Sequence, residues 1–264
     1  MTAMTVPARR LSLLDGLRNT FTLTWRSVLK IRTNSEDLLG LSLQPIMFLV
    51  LFTYVFGGGL AGSTHKYLQY ALPGILVMTV IFGTMGTGLM LNNDISGGVF
   101  DRFRSLPIAR WAPLAGAVLG DMVRYLIMVA VTLGFGMILG FRVETNPLSA
   151  AAGCLLVLGF ALAMCWVSAF IGMIVKTAQG VQTFGFLGMF PLVFGSNLLV
   201  SAKTMPGWLQ AFVKVNPITS LSTATRGLMV GGPVATPAWQ AVAWAIGIAA
   251  VFAPLAVRVY RRKT

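Results

Sequence analysis

About six apolar stretches, each roughly 20 residues long, fill most of this chain and decide what it can fold into. A helix needs ~20 apolar residues to cross the hydrocarbon core of a bilayer. Hydrophobic residues make up 56% of the sequence and charged residues only 10%, whereas a soluble domain carries about a quarter charged residues. The sequence therefore predicts an all-α polytopic membrane protein. The predicted spans are residues 38–58, 68–91, 113–140, 148–175, 183–201 and 237–257.

The distribution of basic residues predicts the orientation of these spans. Most of the 20 Lys and Arg residues lie before the first predicted span, between the second and third, and after the sixth. Short cytoplasmic loops are enriched in Lys and Arg, and an even number of spans places both termini on one side. We therefore expect cytoplasmic N- and C-termini. The net charge of +13 then reflects topology and contact with anionic membrane lipid, and no nucleic-acid partner is expected.

The sequence contains no motif for catalysis, nucleotide binding or metal binding. The phosphate-binding pattern GxxxxGK[ST] does not occur, so energy from nucleotide hydrolysis would have to come from another chain. There is no Gly-x-Ser-x-Gly motif and no plausible carboxylate pair within a span, so we assign no catalytic residue and do not expect an enzyme. The single histidine, His65, has no Cys, Asp or Glu nearby in the sequence that would suggest a metal site.

The N-terminal region predicts an amphipathic helix at the inner membrane surface, over residues 11–33. Leu14, Leu17, Phe21 and Trp25 recur at steps of three and four residues, and polar or basic residues occupy the other side. Such a helix lies in the headgroup layer with its apolar side toward the acyl chains. The alternative is a solvated N-terminal helix with no membrane role.

Residues 97–106, between the second and third spans, predict a short cytoplasmic helix. Gly97 and Gly98 would end the preceding helix, and Pro107 disfavours continuation. Phe100, Phe103 and Leu106 would lie roughly on one face of this helix, with charged residues beside them, and such a face suits a groove on a partner protein. The alternative is a turn whose aromatic residues touch lipid headgroups. The residues concerned are Phe100, Asp101, Arg102, Phe103, Arg104, Leu106 and Pro107.

Residues 202–236, before the last span, predict an outer segment that dips into the membrane. The stretch around Trp208 is too short to cross and too apolar for an open loop. Breaks at membrane depth require protein or a cavity to satisfy the backbone, so Asn216-Pro217 would mark a turn between two half-buried helices. The alternative is a surface cap that Trp208 anchors at the interface.

Asp121 and Arg124 are the two charged residues placed clearly within a predicted span. They lie three residues apart on one helical face, where they can neutralise one another. Two roles are open, a structural ion pair near the inner interface and a substrate-gating pair.

The stretch Asp101 to Ile108, with the sequence D-R-F-R-S-L-P-I, resembles that of ABC-2 type exporter permeases, particularly the daunorubicin-resistance family. The resemblance extends over essentially the whole chain. It includes the amphipathic start, six spans and a long outer segment that contains Asn216-Pro217-Ile218.

This resemblance implies a single ABC-2 type transmembrane domain over residues 1–264, in the cytoplasmic membrane of a prokaryote. The chain would be the permease subunit of an exporter for hydrophobic or amphiphilic compounds, either antibiotics and other drugs or lipid-like molecules. Its partners would be a second permease chain, identical or different, and two cytoplasmic ABC ATPase subunits that hold ATP and Mg²⁺. The helix at 97–106 would couple the permease to the ATPase. Re-entrant helices would form the outer gate, with Trp208, Asn216 and Pro217 as the gate residues.

The resemblance also implies that spans one, two and five line the substrate route. Methionine and aromatic walls adapt to varied apolar ligands, although such residues equally suit a core or a lipid-facing surface. The candidate wall residues are Phe48, Phe52, Met78, Phe82, Met85, Phe184 and Phe190. Two other functions stay open at this stage: an ion-coupled secondary carrier, which needs titratable groups near the middle of the membrane, and a membrane scaffold that does not transport.

Overall fold

The computed structural model describes residues 35–98 and 112–263. Within these two ranges all regular elements are helices and no strand occurs. By length and composition, five helical stretches could cross a membrane. The predicted all-α polytopic architecture is therefore confirmed. The five stretches are Ser42–Gly59, Thr64–Ser96, Val118–Ile138, Pro147–Ile174 and Ala235–Tyr260.

The helices are numbered in chain order. Helix α1 continues through a π-helical turn, Phe52–Phe56, into the short α2, and α3 is separated from α4 by Thr84. Their bounds are α1 Ser35–Leu51, α2 Gly57–Ala61, α3 Thr64–Gly83, α4 Met85–Ser96, α5 Ala112–Ile138, α6 Pro147–Ile174, α7 Ala178–Phe194, α8 Gly207–Val215, α9 Pro217–Val230 and α10 Ala235–Lys263. A 3₁₀ turn, Ala202–Thr204, precedes α8.

Side-chain caps fix where several of these helices begin. The hydroxyl oxygen of Ser63 accepts a hydrogen bond from Lys66 N at the start of α3, and Thr177 does the same for Gly180 N in α7. Asn146 caps α6 by accepting from Leu148 N, with Pro147 at the first helical position. Each cap satisfies one of the amide groups that lack a partner in the first turn of a helix.

The predicted fifth span, 183–201, is wrong in its bounds. The helix runs from Ala178 to Phe194 and has 17 residues, so it is shorter than the five spanning stretches. It begins early because Thr177 caps it, and the residues from Gly195 onward bend instead of continuing the helix. Residues 198–200 are also apolar, so hydropathy extended the predicted span beyond the end of the helix. Their apolar character fits tertiary packing, since Leu198 is buried against other helices.

Helix α3 forms the centre of the larger core, and almost every residue from Tyr67 to Ile81 is buried. It packs against α1, α5 and α9, while α6 packs against α4 and α10. Helices α4 and α6 are in close backbone contact, because Gly88 lies against the carbonyl group of Ser168 and Gly172 lies against that of Gly88. A Cβ atom at either glycine would collide with backbone.

The predicted outer segment, residues 202–236, contains two short helices, α8 and α9, that meet at Asn216. Helix α8 is largely exposed, whereas α9 packs against α3, α6 and α10. Two helices joined at Asn216-Pro217 agree with the sequence-based expectation. Their depth in a membrane stays a prediction.

Candidate functional site

A cavity of about 710 Å³ lies between α1, α3, α4 and α7. Its aromatic wall includes Phe82 of α3 and Phe186 of α7, whose ring centroids lie 6.1 Å apart in a stacked arrangement. Its polar groups are amides and a hydroxyl, those of Gln44, Gln179, Gln182 and Thr183. Ligand pockets typically enclose about 300–1,000 Å³ and combine apolar walls with a few polar groups. The cavity therefore suits an amphiphilic molecule.

The predicted wall residues divide into three groups. Phe82 and Met85 line the cavity. Phe190 does not line it but extends its aromatic wall along α7, with ring centroids 5.1 Å from Phe186 and 4.5 Å from Phe194. The remaining candidates lie elsewhere: Met78 is fully buried in the core, Phe48 and Phe52 pack half-buried against the core, and Phe184 is exposed on α7.

The polar residues of the cavity were not among the residues predicted from the sequence. Gln179, Gln182 and Thr183 lie on one side of the first turns of α7, at a spacing of three and four residues. Polar side chains at this spacing in an otherwise apolar helix are the sequence pattern that could have indicated them. Gln44 of α1 lies on the other side of the cavity and has no neighbour in sequence that would mark it.

Asp121 and Arg124 form the predicted ion pair, with 3.5 Å between Asp121 Oδ1 and Arg124 Nη1. The carboxylate is buried with 4% of its side chain exposed, whereas 25% of the Arg124 side chain is exposed. Thr87 of α4 donates a hydrogen bond of 2.6 Å to Asp121 Oδ2. The two side chains are thus paired, and the structure adds a partner from a neighbouring helix.

The network around Thr87 reaches α6. The Thr87 hydroxyl gives its only proton to Asp121, so the 2.9 Å bond with Tyr125 Oη requires Tyr125 to donate. Tyr125 Oη then accepts from Cys165 Sγ at 3.1 Å. A chain of directed hydrogen bonds therefore holds the Asp121 carboxylate in place between α4, α5 and α6.

Asn216 links helices α8 and α9 to the end of α7. Its side-chain oxygen accepts from Ile218 N at 2.9 Å, which caps α9, and Pro217 occupies the first helical position. Its amide nitrogen donates to Leu192 O at 2.7 Å and to Gly195 O at 2.8 Å. Trp208, the other predicted gate residue, is 75% exposed on α8.

Arg226 of α9 makes the second link, which the sequence did not indicate. Its guanidinium lies over the ring of Tyr70, with 3.8 Å from Cζ to the ring centroid, and donates to Tyr70 O, Asn197 O and Leu198 O. Tyr70 Oη also donates to Asn197 O. Burial lowers the pKa of Arg226, while Tyr70 acts in the opposite direction.

The predicted coupling residues, Phe100 to Pro107, lie outside the described residues, as does the predicted interfacial helix at 11–33. The described residues include the end of the helix that precedes the predicted coupling segment. Helix α4 ends at Ser96, and Gly98 follows with φ of 67°, a left-handed conformation that favours glycine. In the two described ranges no group of three or more His, Cys, Asp or Glu residues could hold a metal ion.

Comparison with known proteins agrees with this architecture. Residues 18–230 match the model of the ABC-2 type transporter family. A protein of Streptomyces coeruleorubidus, named "Daunorubicin resistance ABC transporter permease protein DrrB1", is 40% identical over 92% of this chain and 86% of its own length. A Mycobacterium tuberculosis protein, named "Probable doxorubicin resistance ABC transporter permease protein DrrC", is 32% identical over 86% of this chain and 82% of its own length.

A second Mycobacterium tuberculosis protein, named "Doxorubicin resistance ABC transporter permease protein DrrB", is 26% identical over 70% of this chain and 66% of its own length. The match to the family model covers most of the chain, and the first two relatives align with nearly all of it. This chain belongs to the ABC-2 type transporter family and is a membrane permease.

Proposed function

We propose that this permease moves hydrophobic or amphiphilic compounds outward across the cytoplasmic membrane of a prokaryote, as the transmembrane subunit of an ATP-driven exporter. The observation that carries the proposal is the cavity of about 710 Å³ between α1, α3, α4 and α7. Its stacked aromatic wall and neutral polar groups suit drug-like or lipid-like amphiphiles. The relatives named for daunorubicin and doxorubicin resistance support a drug as one cargo.

The proposed topology has six spans, with α7 as the fifth. Its 17 residues correspond to about 26 Å of helix, near the lower limit for crossing a bilayer. With both termini in the cytoplasm, Gln44 and Gln179 lie in the cytoplasmic half of their spans. The cavity then admits cargo from the inner leaflet, and α8 and α9 lie at the outer end as a re-entrant pair.

ATP hydrolysis would take place on separate subunits, because the chain lacks a phosphate-binding loop. We propose that two cytoplasmic ABC ATPase subunits, which would hold the ATP and Mg²⁺, bind two permease chains. The segment from Phe100 to Pro107 would form the contact. Its aromatic residues flanked by Asp101 and Arg104 support this role.

Transport into inverted membrane vesicles tests the cargo proposal. The permease is co-expressed with a candidate ABC ATPase subunit, and uptake of doxorubicin and of a fluorescent phospholipid is measured with and without ATP. We expect uptake of at least one cargo to require ATP and to be blocked by vanadate. Phe186→Ala should reduce uptake by on the order of tenfold, because it removes half of the stacked wall.

Trp239→Ala is the matched control, since Trp239 is an exposed aromatic residue of α10 away from this cavity. Equal uptake by Phe186→Ala and Trp239→Ala would show that the cavity is not part of the substrate route. Uptake driven by a proton gradient without ATP would instead favour the ion-coupled carrier.

Co-purification from detergent tests the coupling proposal. Phe103→Ala should weaken ATPase binding by about thirtyfold, the effect of truncating an aromatic anchor worth ~2 kcal/mol. Arg104→Glu should act in the same direction because it places a like charge beside Asp101. Phe190→Ala is the control and should leave ATPase binding intact. Full ATPase binding and activity in both loop variants would refute the assignment.

A further inference from the structure

The chain contains six glutamines, and their side-chain amides divide into two sets of three. Three amides are hydrogen-bonded within the protein: that of Gln69 with the backbone of Arg142, that of Gln210 with Met205 O and that of Gln240 with Ser220 Oγ. The amides of Gln44, Gln179 and Gln182 have no partner among the described residues. All three line the cavity, so the unpaired amides are collected at one site.

The three unpaired amides reach the cavity from two helices. Gln179 and Gln182 lie one turn apart on α7, and Gln44 lies across the cavity on α1. All three side chains are exposed and not packed into the core. An amide without a hydrogen bond is costly where protein and lipid exclude water. A ligand in the cavity can supply the missing partners from both sides.

The chemistry of an amide indicates which headgroup fits. Each glutamine offers two N–H donors and a carbonyl acceptor. Thr183 adds an acceptor, because its own hydroxyl proton is donated to Gln179 O at 3.0 Å. A hydroxyl group also donates and accepts, so a headgroup with several hydroxyls uses both halves of every amide. An ether or a carboxylate accepts only and leaves the amide carbonyl groups without a donor.

Charge contributes little to this selection. The described residues that line the cavity are all uncharged. Arg124 lies behind Gly86, but its charge is paired with Asp121. An ammonium group on a hydroxylated headgroup would still find carbonyl acceptors on the glutamines. The placing of hydrogen-bond donors and acceptors therefore distinguishes one headgroup from another at this cavity.

We infer that the cavity selects amphiphiles with a hydroxyl-rich headgroup, a sugar or another polyol, and that Gln44, Gln179 and Gln182 determine this specificity. The apolar part of the ligand lies against Phe82 and Phe186, and its headgroup lies between the first turns of α7 and Gln44. This inference rests on the proposed function, since it names the class of cargo for the same cavity.

Binding of two fluorescent probes to the full-length chain in phosphatidylcholine nanodiscs tests the inference. The probes are dansylaminoundecyl glucoside and its tetra-O-methyl ether, which keeps the ring and its acceptor oxygens but has no hydroxyl donor. Binding to empty nanodiscs is subtracted. We expect the wild-type chain to bind the glucoside about tenfold more tightly than the ether, because the ether cannot donate to the amide carbonyl groups.

Replacement of the glutamines by leucine separates headgroup recognition from a structural role. Gln179→Leu/Gln182→Leu should abolish the preference for the glucoside, and Gln44→Leu should reduce it. Both variants should bind the ether as the wild type does, which shows that the cavity is intact. Gln210→Leu is the matched control, because this glutamine lies on α8 outside the cavity and already donates to Met205 O. It should keep the full preference.

The outcomes distinguish this inference from the proposed function. Equal binding of the two probes by the wild type, or a preference that survives in the double variant, would overturn the inference and leave the cavity as a binding site. If neither probe binds the wild type, both proposals fail. If the double variant loses both probes, the glutamines maintain the cavity and do not recognise the headgroup, so the inference is wrong.

Two further measurements identify what the amides contact. If the double variant keeps the preference but two differently tagged copies of it no longer co-purify, the amides serve a contact between permease chains and the inference is wrong. With the preference intact in the wild type, competition by a glycolipid added to the nanodiscs would identify membrane lipid as the source of the headgroup. Absence of competition would identify a soluble amphiphile.

Discussion

The strongest stability prediction concerns Asn216, whose side chain has two separable tasks. As a cap it accepts from Ile218 N, and as a clamp it donates to Leu192 O and Gly195 O. Loss of a cap costs about 1 kcal/mol. Loss of each buried hydrogen bond costs about 1 kcal/mol more. Asn216→Ala should therefore lower the free energy of unfolding by about 3 kcal/mol.

Asn146 supplies a matched control within the same chain. It also precedes a proline and also caps a helix by accepting from the amide two residues later, but it is exposed and its cap is its one side-chain contact that the structure gives. Asn146→Ala should cost only the cap, about 1 kcal/mol. The difference of about 2 kcal/mol between the two variants measures the clamp.

Unfolding by sodium dodecyl sulfate in mixed micelles, followed by circular dichroism, provides the measurement. Asn216→Asp tests the two donated hydrogen bonds separately from the cap, because a carboxylate still caps α9 but cannot donate to the two carbonyl groups. It should be at least as destabilising as Asn216→Ala. If Asn216→Ala and Asn146→Ala differ by less than about 0.5 kcal/mol, the clamp does not stabilise the fold.

Two further predictions use the same unfolding assay or limited proteolysis. Gly172→Ala should destabilise the chain by about 2 kcal/mol, since the added methyl group meets the backbone of Gly88. Gly159→Ala, on the same helix, is the control: its methyl group meets nothing within 4 Å, so stability should change by less than about 1 kcal/mol. Equal changes in stability would contradict the close contact of α4 and α6. Arg226→Ala should increase cleavage between α7 and α8 by about tenfold or more. Arg226→Lys should give an intermediate rate, because lysine keeps the charge but its single nitrogen lacks the planar guanidinium whose Nε and Nη2 donate to different carbonyl groups. Unchanged cleavage in Arg226→Ala would show that this contact does not hold the outer helices.

Hydropathy predicted the spanning helices well because a bilayer imposes a minimum apolar length on each of them. The same measure misplaced the end of α7, because Leu198 is buried by tertiary packing and not by a helical span. Local spacing predicted the Asp121–Arg124 pair, since three residues separate neighbours on one helical face. It could not predict Thr87, which belongs to a different helix.

The cavity was predicted only in part for a related reason. A sequence shows that Phe82 and Phe184 are aromatic, but it does not show which side of each helix meets a neighbour. In the structure Phe82 lines the cavity, whereas Phe184 is exposed on α7. The long-range contact between Arg226 and Tyr70 likewise had no local signal, because 156 residues separate the two positions.

The two ends of α7 make different kinds of contact with the rest of the protein. Its first turns form part of the cavity wall through Gln179 and Gln182. Carbonyl groups at and just beyond its C-terminus accept hydrogen bonds from Asn216, which caps α9, and from Arg226 of α9. A ligand that displaces the cavity end therefore acts on a rod of about 26 Å whose far end is bonded to α9. We expect α7 to behave as a lever, so that occupancy of the cavity shifts the outer helices. Spin labels on α7 and α9 would report such coupled movement, and Asn216→Ala should uncouple it.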